Sequence, residues 1–227
     1  MNVPAGRPRS PFWRLVTVDI DGTITREHGW KAIADRFGRT DEFDRLHRRF
    51  EKRTIGLASY LAGLMTIARG HRVREVEAIL ASTPRLRHLR RGVRALQRRG
   101  ARVALLSHNP PFVLDWYVRR FGFDGYARES AAHVEVERGR IGPAIVSRPS
   151  KLAGAAALLA RWKLPPRSAV HIGDGRADGP VFRRLGAGVA LNPKDREVLE
   201  EADAGVFTDD FDDVVRLLRV LRPRGER

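Results

Sequence analysis

Short apolar runs of strand length recur along this chain, and most are followed by a segment with helical periodicity. The runs are 13–19, Ala101 to Leu106, Ala169 to Ile172, Gly188 to Leu191 and Gly205 to Phe207. Helical segments are expected at 89–99, 111–121, 152–162, 178–185 and 211–221. Strands that alternate with helices predict an α/β fold, a Rossmann-like parallel sheet with helices on both faces. One stretch breaks the alternation. Between 26 and 86, Trp30, Ile33, Ala34 and Phe37 fall on one helical face, and Phe43, Leu46 and Phe50 on a second. A third face runs from Leu57 through Tyr60, Leu61, Leu64 and Met65 to Ala68, and a fourth through Val73, Val76, Ile79 and Leu80. Four helices without a strand read as a small all-helical cap inserted after the first strand. Thr83-Pro84 punctuates the return. His133 to Glu137 and Ile141 to Val146, around Arg138-Gly139-Arg140, read as a β-hairpin. The expected organisation is a flexible basic tail over 1–11, a core over 12–25 and 87–227, and a cap over 26–86.

Open parallel sheets bind ligands beyond the carboxyl ends of their strands, and the polar residues here sit there. Asp19-Ile20-Asp21-Gly22-Thr23 ends the first run, Ser107 follows the second, and Gly173-Asp174-Gly175 follows the third. Two carboxylates two residues apart raise one another's pKa unless a cation offsets them. A hard ion with oxygen ligands, typically Mg2+, is the usual offset. Taken singly, Asp19 and Asp21 also read as a turn and capping pair, Ser107 as an N-cap, Lys151 as a solvated first-turn residue, and Asp178 as an acid favoured by a helix dipole.

Together, Asp19-x-Asp21-Gly-Thr, Ser107, Lys151 and Gly173-Asp174-Gly175-x-x-Asp178 resemble the four motifs of the haloacid dehalogenase superfamily, from about residue 13 to about 220. The helical insert and the hairpin before Lys151 resemble its phosphoserine phosphatase-like branch. The resemblance implies a phosphomonoester hydrolase acting on a small phosphorylated metabolite. Asp19 would be the nucleophile, forming an aspartyl-phosphate, and Asp21 the general acid and base. Thr23, Ser107, His108, Asn109, Lys151 and Gly175 would surround the phosphate. Asp19, the main-chain carbonyl of Asp21, Asp174 and Asp178 would hold Mg2+, with Asp178 ligating it or orienting it from behind. Gly173 and Gly175 would let the backbone approach closely.

The chain departs from that branch where the leaving group would lie. Glu27 and His28 compete for the place of a cap glutamate, and an ungapped alignment favours His28; with His108 it could contact a different substrate, but it is read first as a solvated cap residue. The stretch Ser59-Tyr60-Leu61-Ala62-Gly63 lacks the branch's arginine, which grips a substrate carboxylate. Ser107-His108-Asn109 stands where Ser-Gly-Gly is usual, and Ala177 where Asn is usual. Phosphoglycolate, sugar phosphates and nucleotides therefore stand beside phosphoserine as candidates.

Charge bears on partners. Lys and Arg number 43 against 27 Asp and Glu, a net +16, and only five of the 43 are lysines. Such a surface attracts polyanions, so a nucleic-acid-associated protein binding terminal phosphates is the alternative reading. The basic residues are spread along the chain without the interleaved aromatics of a base-stacking platform. The absence of cysteine excludes disulfides and thiol catalysis. No apolar run approaches the roughly 18 to 20 residues of a membrane span, and the first residues lack a signal-peptide core, so a cytoplasmic protein is expected.

Overall fold

The computed structural model describes residues 13–145 and 147–225. The tail expected over 1–11 and Val146 of the hairpin lie outside them. After β1 (Leu15–Val18) come four helices, α1 (Gly29–Arg36), α2 (Thr40–Glu51), α3 (Leu57–Ala68) and α4 (Val73–Ser82). Then follow α5 (Leu89–Arg98), β2 (Arg102–Leu105), α6 (Pro111–Phe121), the hairpin β3 (His133–Glu137) and β4 (Arg140–Ile145), and α7 (Lys151–Trp162). The chain continues through β5 (Ala169–Gly173), α8 (Gly179–Arg184), β6 (Ala187–Leu191), α9 (Arg196–Glu201), β7 (Ala204–Val206) and α10 (Phe211–Val220). Five strands form one sheet in the order β2-β1-β5-β6-β7, every pair parallel.

Alternation along β1 sends its side chains to two different cores. Val16 and Val18 pack with Val93 and Leu96 of α5, Leu114 of α6 and Val214 of α10. Leu15 packs on the other face with Leu158 and Leu159 of α7 and Val181 of α8. Burying such a side chain contributes about 1.5–3 kcal/mol, so a register slip that reversed the faces would be costly. Val18 aligns with Leu105 on one side and Ile172 on the other, which brings the ends of three strands level.

The helices α1 to α4 bury Trp30, Ile33, Tyr60, Leu64 and Leu80 in the same core as Val16 and Val18. Their two connections to the sheet run side by side: Thr25 pairs antiparallel with Arg85, and Leu86 N–H donates to Ile24 O at 2.9 Å. The hairpin is tied to the α3–α4 turn, with Gly70 N–H donating to Ile141 O at 2.8 Å and Val73 N–H to Gly139 O at 2.9 Å.

Candidate active site

Asp19 leaves β1 with its amide donating to Ile172 O at 2.9 Å, which fixes it beside β5. Ser107 and Asp174 emerge from the neighbouring strand ends. Ser150 caps α7, accepting from Ala153 N–H at 3.2 Å, and so places Lys151 at the helix's first residue. These groups form the floor of a cavity of about 270 Å³ whose roof comes from α1, α2 and α3.

Lys151 is 5% exposed, and its Nζ lies 2.7 Å from Asp19 Oδ2 and 2.6 Å from Asp178 Oδ1. Burial alone would lower its pKa, but Asp178 and Asp19 outweigh burial and hold it above the usual lysine value, so the ammonium stays charged. Burial would likewise raise Asp178. Lys151 and His171 prevail and hold its carboxyl well below the usual range. Oδ1 of Asp178 also accepts from His171 Nε2 at 2.7 Å, and Oδ2 accepts from Gly175 N–H at 3.0 Å. His171 was not anticipated from sequence. It is a fully buried imidazole within β5, aligned with Thr17, whose Oγ1 lies 2.9 Å from its Nδ1. The available signal was a titratable residue inside an otherwise apolar parallel strand.

Asp19, Asp174 and Asp178 offer carboxylate oxygens within 4.8 Å of one another. Burial raises the Asp19 carboxyl, with Lys151 opposing. Burial, with Asp19 and Asp178 adding, pushes Asp174 up to about 8. Three carboxylates against one ammonium leave a surplus of negative charge, the donor set of a hard cation. The residues present therefore fit Mg2+. Thr23, expected at the phosphate, instead donates its hydroxyl to Asp174 Oδ1 at 2.6 Å. Gly22 has φ +80°, and a Cβ there would lie 2.0 Å from Asp174 Oδ2, so glycine is required for the turn to close over that carboxylate. A Cβ at Gly173 would likewise meet the Asp178 carboxyl, whereas at Gly175 it would make only ordinary contact, so the close approach expected of both holds at Gly173 alone.

The Asp21 carboxylate points away from this cluster. Oδ1 accepts from Gly29 N–H at 2.7 Å, and Oδ2 accepts from Asn109 Nδ2 at 2.7 Å. Asn109, expected to touch phosphate, has its polar atoms engaged within the protein. Its Nδ2 also donates to Ser107 Oγ at 3.2 Å, and its Oδ1 accepts from Trp30 Nε1 at 3.0 Å. Because Ser107 Oγ accepts that bond, its own O–H is left to donate elsewhere. Burial, reinforced by the charge on Lys151, pushes His108 down to about 4, so its imidazole is neutral near pH 7. Its Nδ1 donates to Ser130 O at 2.8 Å, leaving Nε2 as an acceptor that offers phosphate no hydrogen.

His28 is not the solvated residue expected. It lines the cavity, with Nε2 3.1 Å from the Tyr60 hydroxyl and Nδ1 3.5 Å from Asp21 Oδ1, while Glu27 is exposed. Phe50, Leu57, Leu61 and Leu64 complete the roof. Arg176, beside Asp174 in sequence, donates to Glu51 Oε2 at 3.0 Å and ties the floor to α2. No helix among the described residues is long and apolar enough to cross a membrane.

A family model described as haloacid dehalogenase-like hydrolase matches residues 13–186. A phosphoserine phosphatase of Archaeoglobus fulgidus is 27% identical over 211 residues, 92% of this chain. The chain spans 60% of that relative's length. Among solved structures, a haloacid dehalogenase family hydrolase of Salmonella enterica serovar Typhi superimposes with a TM-score of 0.77 at 17% identity, covering 85% of this chain and 66% of that one. A phosphoserine phosphatase solved as a phospho-aspartyl intermediate analogue superimposes at 0.75 and 17% identity, covering 90% of this chain and 98% of that one. At such identities these structures bear on the fold alone.

Proposed function

Because the chain belongs to the haloacid dehalogenase-like hydrolase family, we propose that it is a Mg2+-dependent phosphomonoesterase that forms an aspartyl-phosphate on Asp19 and acts on a small phosphorylated metabolite. The observation that carries this reading is the separate anchoring of two neighbouring carboxylates. Asp19 is held by a buried ammonium, and Asp21 by a main-chain amide and a side-chain amide. Environments that differ in this way suit different roles.

Asp19, Asp174 and Asp178, with the Asp21 main-chain carbonyl, would hold Mg2+, which would supply positive charge against the phosphoryl oxygens. Lys151 keeps one Asp19 oxygen fixed and neutralises charge developing on the phosphoryl group. Ser107 O–H donates to a phosphoryl oxygen. The other Asp19 oxygen attacks phosphorus as the bond to the leaving oxygen breaks, and Asp21 gives that oxygen its proton. Asp21 then takes a proton from the water that attacks the phosphorus of the aspartyl-phosphate. Inorganic phosphate leaves and Asp19 is restored. The four helices act as a cap that excludes bulk water. The phosphoserine phosphatase relative makes phosphoserine one candidate substrate, and a cytoplasmic setting is part of the same proposal.

The test is phosphate release from a panel of small phosphomonoesters, with Mg2+ or with EDTA. Metal-dependent release that Asp19→Asn abolishes supports the reading. Release that survives Asp19→Asn, or no release from any ester, rejects it.

A further inference from the structure

We propose that the leaving group is a single uncharged ring, an aryl or arylalkyl alcohol, and that zwitterionic amino-acid phosphates are poor substrates. This rests on the phosphatase reading and concerns the cap wall of the same cavity.

The polar atoms of that wall bond to one another. His28 Nδ1 accepts from Trp30 N–H at 3.4 Å, so His28 Nε2–H faces the Tyr60 hydroxyl at 3.1 Å. That hydroxyl in turn lies 3.0 Å from His47 Nδ1 and is used as both acceptor and donor. Burial, with His28 beside it, lowers His47 below the usual imidazole value. The remaining surface is Phe50, Leu57, Leu61 and Leu64, with the Phe50 ring stacked on Tyr60 at 4.2 Å between centroids.

Several charged groups at the cavity already have partners. Lys151 lies between Asp19 and Asp178, and Glu51 pairs with Arg176. Arg176 also lies 3.6 Å from Asp195. Lys194 also lines the cavity, from the exposed loop after β6, and its charge reaches His47. A substrate bearing an ammonium and a carboxylate would lose water from both against Phe50, Leu57, Leu61 and Leu64, which offer neither a partner. An uncharged ring would gain by burial and by packing on aromatic faces. Size limits the leaving group to about one ring: about 270 Å³ falls below the roughly 300–1,000 Å³ of pockets for drug-sized ligands, and the phosphate must share it.

The experiment compares benzyl phosphate with L-phosphoserine on the full chain with Mg2+, by kcat/KM. Calorimetric binding of benzylphosphonate and of the phosphonate isostere of phosphoserine runs in parallel. The expected result is at least a tenfold preference for the benzyl compound in both measurements, reduced in Phe50→Ser and in Leu57→Ser, which lie on different helices. Phosphoserine turned over as well as benzyl phosphate overturns this inference and leaves the phosphatase standing. Selective binding of benzylphosphonate without turnover of any ester keeps the ring-binding wall and overturns the phosphatase. Equal binding of the two phosphonates overturns the inference whatever the turnover.

Discussion

Replacing Lys151 with methionine removes one charge and little volume from a site that depends on that charge. Lys151 lies within 2.7 Å of Asp19 and 2.6 Å of Asp178, both buried. Breaking a buried pair from one side costs about 3–5 kcal/mol, because the remaining charge stays behind uncompensated. For a chain of this size each kcal/mol moves Tm by about 2–4 °C. Lys151→Met should therefore lose about 6–20 °C in EDTA. The loss should depend on pH. Asp19 and Asp174 already have folded pKa values above the ordinary 3.8, so the fold takes up protons and is favoured at low pH. Without Lys151 that bias grows, so the deficit against wild type should be larger at pH 8 than at pH 5. Mg2+ should restore part of it, since a cation substitutes for a cation. Turnover should fall about 10²–10³-fold, the scale of losing one electrostatic stabiliser. Differential scanning fluorimetry at both pH values, with EDTA and with Mg2+, measures all the stability terms. A Tm change below about 2 °C at pH 8 in EDTA would refute the charge account, because two buried carboxylates cannot lose their cation at so little cost.

In wild type without metal, Asp174 with a folded pKa of about 8 contributes stability that is full below pH 4 and lost as pH rises towards 8. Tm in EDTA should fall from pH 5 to pH 8.5, Mg2+ should raise it more at pH 8.5, and Asp174→Asn should flatten both trends; equal Mg2+ effects at the two pH values would contradict this. Asn109→Ala frees the Asp21 carboxylate and leaves buried Trp30 Nε1 without its acceptor. It should lower kcat about 10–100-fold, with a smaller effect on KM, and cost about 1–3 kcal/mol in urea denaturation. His171→Phe keeps a ring in β5 but removes a donor from Asp178. Mg2+ affinity, read by thermal-shift titration, should weaken about tenfold.

The sheet was legible because its strands carry dense apolar runs and each face has a helix to bury it. Strands and helices stand within a residue or two of the expected bounds, as with β5 and α7. Helix α9 was not expected: Arg196–Glu201 is six residues long and buries only Val198, too little for a periodic signal. Asp19, Ser107 and Asp174 were readable because strand ends fix where they can point, and Lys151 because it opens a helix behind a serine cap. What each hydroxyl or amide would do there was not. Thr23 serves Asp174, and Asn109 serves Asp21 and Trp30, because these contacts span 79 to 151 residues of sequence. His28 faces inward for a related reason: its partner Tyr60 comes from α3, which no local pattern around His28 reveals.

The central claim is that Asp19 carries the phosphoryl group. An acyl phosphate is reduced by borohydride to an alcohol, whereas a free carboxylate is not. The wild-type chain, mixed with Mg2+ and a turned-over ester, acid-quenched and reduced, should show residue 19 alone converted, by peptide mass spectrometry. Reduction at a different carboxylate, or steady turnover with position 19 unmodified at every quench time, would contradict the account.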